Sequence, residues 1–327
     1  MFKNSMATKL REVKILRPLF ALRDIIWEKT GLFDLKKRIK RKRYFSRAAK
    51  EDELRRKAIA DEIMQLPNDL LSPKDGINIV VSMTSYGYRV EKTSPYALYS
   101  ILQQSYIPNR IILNIDKKQW NDDNIPLLLK KLQCVGVEIN YTDDIGPHTK
   151  LIPTLTKYPD DIIITADDDV YYDTQMVEEL YRGYTNSNKE TVICREGLLL
   201  LKKDGKFLKY SECAHIRLSQ EDDYKMPFGV GGVLYPPHVF GNEIFNLSAM
   251  KELTPKADDI WFSAMEIYYG IDVKYVTDNS WRGDSDVDRN EEYNESVSGA
   301  LYRTNDVKGQ NDVQWDSVVK HYNLDAK

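Results

Sequence analysis

The chain has 327 residues, 42% of them hydrophobic and 11% aromatic, which is enough to bury the core of one large α/β domain with an appendage. Its three cysteines are an odd number, have no C-x-x-C spacing and lie in or beside apolar runs, which fits structural thiols in a reducing cytosol. We expect no signal peptide, because charged residues interrupt the apolar positions of residues 1–29. No stretch reaches the roughly 18 apolar residues of a membrane span.

The formal net charge of −3 conceals an uneven distribution along the chain. Residues 1–60 contain 19 Lys or Arg and 7 Asp or Glu, a charge of +12, whereas the remainder carries 28 basic and 43 acidic residues, a charge of −15. The excess of positive charge in residues 1–60 favours contact of this segment with an anionic surface, either a membrane leaflet or a nucleic acid. The remainder of the chain is acidic, which is not the charge of a nucleic-acid binder, so no nucleic-acid partner is expected.

Residues 1–76 are predicted to form a basic helical extension and a linker. Charged and apolar residues recur at three- and four-residue steps over residues 8–62, the spacing of a helix, which Pro18 and Gly31 must interrupt. The cationic run 35–45 has the composition of a segment that lies on a membrane interface, but a solvated helix or a flexible basic arm explains it equally well. The residues from 66 to 76 contain the Pro and Gly of a linker.

From residue 77 onward, short β-rich runs alternate with helical ones. Strands are predicted at 77–83, 110–115, 135–141 and 161–166, and helices at 94–104, 125–132, 150–157 and 174–184. This alternation predicts an α/β fold with a mostly parallel sheet flanked by helices, in which ligands bind at the carboxyl ends of the strands. A hairpin at 203–206, a glycine-rich strand near 227–235 and a helix over 258–269 follow. The catalytic domain is predicted to span residues 77–280, with residues 281–327 as a tail packed on it.

The most specific local pattern is an apolar strand that runs into Asp167, Asp168 and Asp169. Three adjacent carboxylates repel one another, so they need a cation or separate hydrogen-bond partners. Oxygen ligands favour Mg²⁺ or Mn²⁺ over zinc. In an extended segment, Asp167 and Asp169 would point to one side and hold the metal, while Asp168 would face a ribose hydroxyl or a backbone amide. The alternative is an acidic turn that caps the next helix.

A second acidic element, Asp258 and Asp259, stands at the start of a predicted helix. Carboxylates at this position can cap free amides and suit the helix dipole without any catalysis, or one of them can act as a general base. The segment 227–235 lies between the two acidic elements, and its glycines allow either a close approach to a ligand or a bulged strand. Lys150, in the first turn of a predicted helix, suits a diphosphate better than His148 does.

The strand followed by Asp-x-Asp resembles the metal motif of GT-A glycosyltransferases, and residues 82–106 are similar to the opening of bacterial family 2-like sugar transferases. This resemblance covers residues 77–280 and implies a Rossmann-like GT-A fold, a nucleotide-sugar donor and a Mn²⁺ or Mg²⁺ cofactor. It assigns the metal to Asp167 and Asp169, and the catalytic base to Asp259, with Asp258 second. Candidates for donor contact are Thr84, Ser85, Tyr86, Arg89, Asp116, Lys150 and Asp168. Candidates for acceptor contact are Gly231, Gly232 and Trp261.

The resemblance implies metal-dependent, inverting transfer of a hexosyl or similar sugar to a hydroxyl of a glycan or lipid-linked glycan, in the synthesis of cell-surface polysaccharide or lipopolysaccharide. The protein is expected in the cytoplasm, resting peripherally on the inner face of the membrane through residues 1–60. Transfer of one sugar per encounter is expected, because residues 311–315 hold only a partial match to the Gln-x-x-Arg-Trp element of processive relatives.

Two alternative functions stay open. A sugar-phosphate nucleotidyltransferase would need a glycine-rich triphosphate loop, and residues 84–89 contain one Gly and one Arg. The other is a non-catalytic protein that binds glycans or nucleic acid.

Overall fold

A computed structural model describes residues 32–71, 76–216, 223–276, 285–288 and 309–327, without the side chains of residues 32–39, 41 and 42. The first part of the predicted amino-terminal helix, residues 8–31, lies outside the described residues. The same holds for most of the predicted boundary region between catalytic domain and tail.

The described helices and strands alternate as expected. The helices are α1 (Leu32–Gln65), α2 (Arg89–Lys92), α3 (Ser94–Leu102), α4 (Leu127–Val135), α5 (Ile152–Lys157), α6 (Met176–Thr185), α7 (Leu247–Leu253), α8 (Asp258–Tyr269) and α9 (Gln310–His321). The strands are β1 (Ile79–Thr84), β2 (Arg110–Asp116), β3 (Glu138–Thr142), β4 (Ile162–Thr165), β5 (Val170–Tyr171), β6 (Val192–Cys194), β7 (Gly197–Leu199), β8 (Lys202–Lys203), β9 (Lys206–Phe207), β10 (Ala214–His215), β11 (Lys225–Pro227), β12 (Val233–Tyr235), β13 (Val273–Tyr275) and β14 (Ser285–Asp286).

Seven strands form the central sheet in the order β13-β6-β12-β4-β1-β2-β3. Every neighbouring pair is parallel except those of β12, which runs antiparallel to both β4 and β6. In the centre of the sheet, Val80 lies between Arg110 of β2 and Ile163 of β4. The mostly parallel sheet with helices on both faces confirms the predicted fold class, an α/β fold with a Rossmann-like sheet flanked by helices.

The core lies on both faces of this sheet because alternate residues of each strand point in opposite directions. Val81 and Met83 of β1 pack in a cluster with helices α1, α3, α4 and α6. Val80 of the same strand packs in the other cluster, with α5, α7, α8 and α9. Burial on both faces explains why the central strands are mostly apolar, as in Ile162, Ile163 and Ile164 of β4, instead of strictly alternating.

The second half of α1 is part of this core. Phe45, Ala48, Ile59 and Ile63 are buried, and their spacing places them along one side of the helix. Ile59 and Ile63 belong to the cluster that covers the first face of the sheet. The predicted boundary at residue 76 is therefore not an edge of the core, because a helix assigned to the extension completes one of its faces.

The last described helix, α9, packs against α8. The indole of Trp315 is buried there and donates a hydrogen bond to the carbonyl of Leu208, 3.1 Å away. Across the described ranges, no helix is both long enough and apolar enough to cross a bilayer. Helix α1 has the length, but its sequence is dense in Lys and Arg.

Candidate active site

The Asp-rich segment forms a turn at the carboxyl end of β4. The strand ends at Thr165, and the chain turns through Asp167, Asp168 and Asp169, here called the Asp turn, before β5 begins. The hydroxyl of Tyr172 accepts a hydrogen bond from the backbone N–H of Asp167 at 2.7 Å, which fixes the start of the turn. The carboxylates therefore project from a turn and not from the extended strand that the sequence pattern predicts.

Arg89 of α2 holds the second and third carboxylates of this turn. Its Nη1 lies 3.0 Å from Asp168 Oδ1 and 3.0 Å from Asp169 Oδ2. Ser85 donates a 2.5 Å hydrogen bond to Asp168 Oδ2. The Asp168 side chain is only 6% exposed, whereas those of Asp167 and Asp169 are 27% and 32% exposed. Three predicted donor contacts, Ser85, Arg89 and Asp168, thus bind one another and leave the outer two carboxylates accessible.

Lys150 joins the Asp turn to the start of α8. Its Nζ lies 2.6 Å from Asp167 Oδ1 and 3.0 Å from Asp258 Oδ2, and its side chain is almost fully buried. A 3₁₀ turn, His148–Lys150, carries the lysine, and its backbone carbonyl accepts a 2.5 Å hydrogen bond from Ser82 of β1. The two acidic elements of the sequence therefore meet at one ammonium group.

This contact sets the charge states of the group. Burial opposes the charged form of Lys150, but Asp167 and Asp258 outweigh it and raise the pKa of the ammonium well above its usual value. Burial would also raise the pKa of Asp258, yet the adjacent Lys150 lowers it overall. Both groups are therefore charged at neutral pH, and Asp258 serves as a counter-ion of Lys150.

Asp259 has a different environment from its neighbour. Its Oδ1 accepts a 3.0 Å hydrogen bond from the backbone N–H of Gly229, and the side chain stays partly exposed. Burial, and then the negative charge of Asp258, raise the pKa of Asp259 to about 8. A partly exposed carboxyl with such a raised pKa can accept a proton near neutral pH, which is the property required of a general base.

Gly229 is the glycine that borders the site, and it is not among the site residues predicted from the sequence. A Cβ at this position would lie 2.7 Å from Lys150 Nζ and 3.5 Å from Asp167 Oδ1, so a side chain would displace the lysine. The predicted acceptor glycines serve packing. A Cβ on Gly231 would meet Glu196 at 2.5 Å, and Gly232 has a φ of +87° where only glycine is unstrained. Gly229 belongs to the predicted glycine-rich segment 227–235, and this was the one sequence feature that could have indicated its position at the site.

The prediction that Trp261 contacts the acceptor is wrong. Its side chain has no exposed surface and its indole donates to the carbonyl of Ile244 at 3.2 Å, so it is a core residue. Trp261 is two residues from Asp259, and on a helix this spacing turns its side chain about 200° away from that carboxylate.

Three other predicted donor contacts lie at the same strand ends without joining the carboxylates. Thr84 donates to the carbonyl of Asn114 at 3.0 Å. Asp116, at the end of β2, accepts hydrogen bonds from the turn that follows it, which lower its pKa. Tyr86 is exposed and its ring centre lies 5.4 Å from the Arg89 guanidinium.

Two further titratable groups lie beneath the site. Burial lowers the pKa of His148 to about 4, and burial followed by the charge of Asp259 raises the pKa of Glu266 to about 8. His148 is therefore neutral near pH 7, and Glu266 is largely protonated.

Asp167 and Asp169 present carboxylate oxygens of the kind that bind a divalent cation. Within the described ranges, no three His, Cys, Asp or Glu side chains are grouped closely enough to hold a metal ion by themselves. Mg²⁺, however, is usually bound through one or two carboxylates together with substrate phosphates and water. Two part-exposed carboxylates at a strand end fit that mode of binding, in which the cation arrives with a diphosphate.

No protein-family model matches the sequence, and no curated protein matches it. Solved structures do match. A CMP:2-keto-3-deoxy-manno-octonic acid synthetase complexed with CTP is 14% identical over 62% of this chain and 89% of its own, with a TM-score of 0.37. A mannosyltransferase from Pyrobaculum calidifontis in complex with GDP-Man and Mn²⁺ is 12% identical over 72% of this chain and 65% of its own, with a TM-score of 0.38. S. aureus TarS in complex with UDP is 11% identical over 62% of this chain and 59% of its own, with a TM-score of 0.38. The matched region thus spans less than two thirds of the mannosyltransferase and TarS chains. At such identities and scores, function has to be inferred from the residues of the site.

The buried position of Lys150 leads to a stability prediction. Substitution of Lys150 by Met should lower the free energy of unfolding by about 3–5 kcal/mol, because Asp258 would remain buried without its cation. Lys157→Met is the control, since Lys157 forms an exposed pair with Glu138 and its loss should cost about 1 kcal/mol or less. Urea unfolding of both variants measures the difference. Equal losses would mean that Lys150 does not neutralise Asp258.

Proposed function

We propose that this protein is a glycosyltransferase that moves a sugar from a nucleoside-diphosphate sugar to an acceptor hydroxyl. The observation that carries the proposal is the contact of Lys150 with both Asp167 and Asp258, which brings the two acidic elements together at the carboxyl ends of β1 and β4. Such a transfer requires charge compensation for a departing diphosphate close to a base for the attacking hydroxyl. The Asp turn and the start of α8 supply these two functions at one place.

The diphosphate would bind at the Asp turn. Asp167 and Asp169 would hold Mn²⁺ or Mg²⁺, and such a cation, when bound, neutralises the negative charge of the leaving nucleoside diphosphate. Arg89 and Lys150 are the nearby cations of the chain itself, and each already contacts one of these carboxylates. We propose that both stay at the turn and bind phosphate oxygens when the donor enters, Arg89 through its planar guanidinium and Lys150 as a compact charge.

Asp259 is the proposed base. Asp258 is committed to Lys150, whereas Asp259 is partly exposed and has a pKa near the working range of a base. Its carboxylate would take the proton of the acceptor hydroxyl as the hydroxyl oxygen bonds to the anomeric carbon and the bond to the diphosphate breaks. Direct displacement of this kind inverts the anomeric configuration.

The first test measures donor hydrolysis, in which water replaces the acceptor. The unaltered protein with Mn²⁺ should release a nucleoside diphosphate from one member of a panel of UDP-, GDP- and CDP-sugars. Asp169→Ala should abolish the release, because one of the two proposed metal ligands is lost. Asp123→Ala, an exposed aspartate on another loop, should not. Release of pyrophosphate from a nucleoside triphosphate and a sugar phosphate would instead identify a nucleotidyltransferase.

The second test concerns Asp259. Its substitution by Asn should lower kcat by about 100-fold or more, the usual contribution of a general base. In the unaltered protein, kcat/KM should rise with pH up to about 8 and level off above it, because only the deprotonated carboxylate can accept a proton. Asp272→Asn, an exposed substitution just beyond α8, is the control. A product with retained anomeric configuration in the NMR spectrum would rule out this mechanism.

We further propose that the acceptor is a glycan or lipid-linked glycan of a cell-surface polysaccharide or lipopolysaccharide, reached at the inner face of the membrane. Support comes from the side of α1 opposite its buried residues. Four exposed cations recur there at three- and four-residue steps: Lys40, Arg43, Arg47 and Lys50. Leu54 lies on the same side and is 69% exposed, and Tyr44, at the edge of this side, is 60% exposed. Exposed cations mixed with apolar side chains suit an anionic lipid surface.

A charge substitution tests this surface better than a deletion of residues 1–60, which would also remove the core residue Ile59. Replacement of all four cations by Gln should reduce sedimentation with anionic phosphatidylglycerol vesicles at least tenfold, since each basic residue near the surface contributes about 1 kcal/mol. Replacement of Lys117, Lys118, Lys203 and Lys206, which are also exposed, is the matched control. Undiminished sedimentation of the first variant would exclude this side of α1 as the contact.

A further inference from the structure

A short segment from the distal part of the chain, residues 285–288, lies directly behind the Asp turn. Strand β14 pairs antiparallel with β5, the strand that follows the three aspartates. The backbone N–H of Val287 donates a 2.8 Å hydrogen bond to the carbonyl of Asp169 itself. The side chain of Val287 is fully buried in the core cluster of the first sheet face. The 285–288 segment therefore fixes the direction in which the chain leaves the Asp turn.

Cations from the amino-terminal helix α1 hold this segment in place. Arg56 donates a 2.9 Å hydrogen bond to the carbonyl of Val287, and its guanidinium lies 3.6 Å from the Asp288 carboxylate. Arg55 donates to Ser285 at 3.0 Å and lies 3.7 Å from the centre of the Tyr171 ring. Helix α1 thus contacts both strands of the pair that continues from the Asp turn.

Asp288 also connects to the turn by a second route. Its carboxylate is 6% exposed and lies 3.1 Å from Lys92 at the end of the one-turn helix α2. The same helix begins with Arg89, which binds Asp168 and Asp169. One carboxylate is therefore shared by α1 and α2. Lys92 and Arg89 lie three residues apart on a single helical turn, so we expect a shift of one to move the other.

We propose that Arg56 and Asp288 are positioning residues for the diphosphate site, so that helix α1 orients the carboxylates of the Asp turn. The inference rests on the proposed function for the identity of the ligand, but the contacts themselves do not depend on it. Neither residue touches the site. They act through the Val287–Asp169 hydrogen bond and through Arg89.

The test uses the full chain with Asp288→Asn and Arg56→Gln. Binding of UDP, GDP and CDP, each with Mn²⁺, is measured by titration calorimetry at a temperature where every variant is fully folded. Both substitutions should weaken the tightest of these complexes about tenfold or more, the usual effect of losing a residue that orients a metal ligand. Hydrogen exchange of backbone amides in residues 167–172 should be faster in both variants. Arg56→Lys, which keeps the charge, should restore part of the affinity.

Lys57→Gln is the matched control, because Lys57 is the next residue of α1 and is exposed. Affinity and exchange rates equal to those of the unaltered protein in the Asp288 and Arg56 variants would overturn the inference. If the unaltered protein bound none of the three diphosphates, the proposed function would fail, while the exchange rates would still decide the positioning role.

Should Asp288→Asn not fold, Lys92→Gln replaces it, because Lys92 is half-exposed and Arg56 still holds the Asp288 carboxylate in that variant. An unchanged affinity and exchange rate in that variant and in Arg56→Gln would equally overturn the inference.

Discussion

Lys150 is a buried cation between two carboxylates from distant parts of the chain, and the geometry of the site depends on it. A buried ammonium is stable only when its charge is compensated at close range, and here Asp167 and Asp258 do so at 2.6 and 3.0 Å. The compensation works in both directions, since neither acidic element could bring its carboxylates so close to the other without a cation between them. The lysine in turn sits on a 3₁₀ turn tied to β1 through Ser82. The central sheet thereby fixes the distance between the Asp turn and α8.

Helix α1 combines two environments on opposite sides. One side completes the hydrophobic core through Ile59 and Ile63, while the other exposes cations. The net charge of residues 1–60 suggests a separate basic extension, but charge alone does not distinguish a detached arm from a helix with one buried side. Only the apolar residues at three- and four-residue steps indicate that the second half of α1 packs against something, and they do not identify the partner.

Much of the fold could be predicted from local sequence patterns. The strands β1, β2 and β4 are mostly apolar segments of four to seven residues, and their burial on both faces follows from the helices that alternate with them. The Asp turn and the acidic start of α8 could also be located, because each directly adjoins a regular element.

Contacts between distant segments could not be predicted. The sequence predicts a diphosphate contact for Lys150 but not its pairing with Asp167 and Asp258, and it does not reveal that Trp261 lies in the core. The pairing of β5 with β14 involves two residues per strand, too few to produce a periodic signal.

The shared position of Lys150 has a consequence for mutational analysis of the site. Removing Asp167 would leave Lys150 with Asp258 as its nearest carboxylate, and removing Asp258 would leave it with Asp167. A substitution of Asp167 therefore alters the charge environment at the start of α8, and a substitution of Asp258 alters that of the Asp turn. The free-energy changes of such variants will not add, and a double-mutant cycle between Asp167 and Asp258 measures their coupling directly. Loss of activity on replacing any one of these residues consequently does not reveal which half of the site has failed.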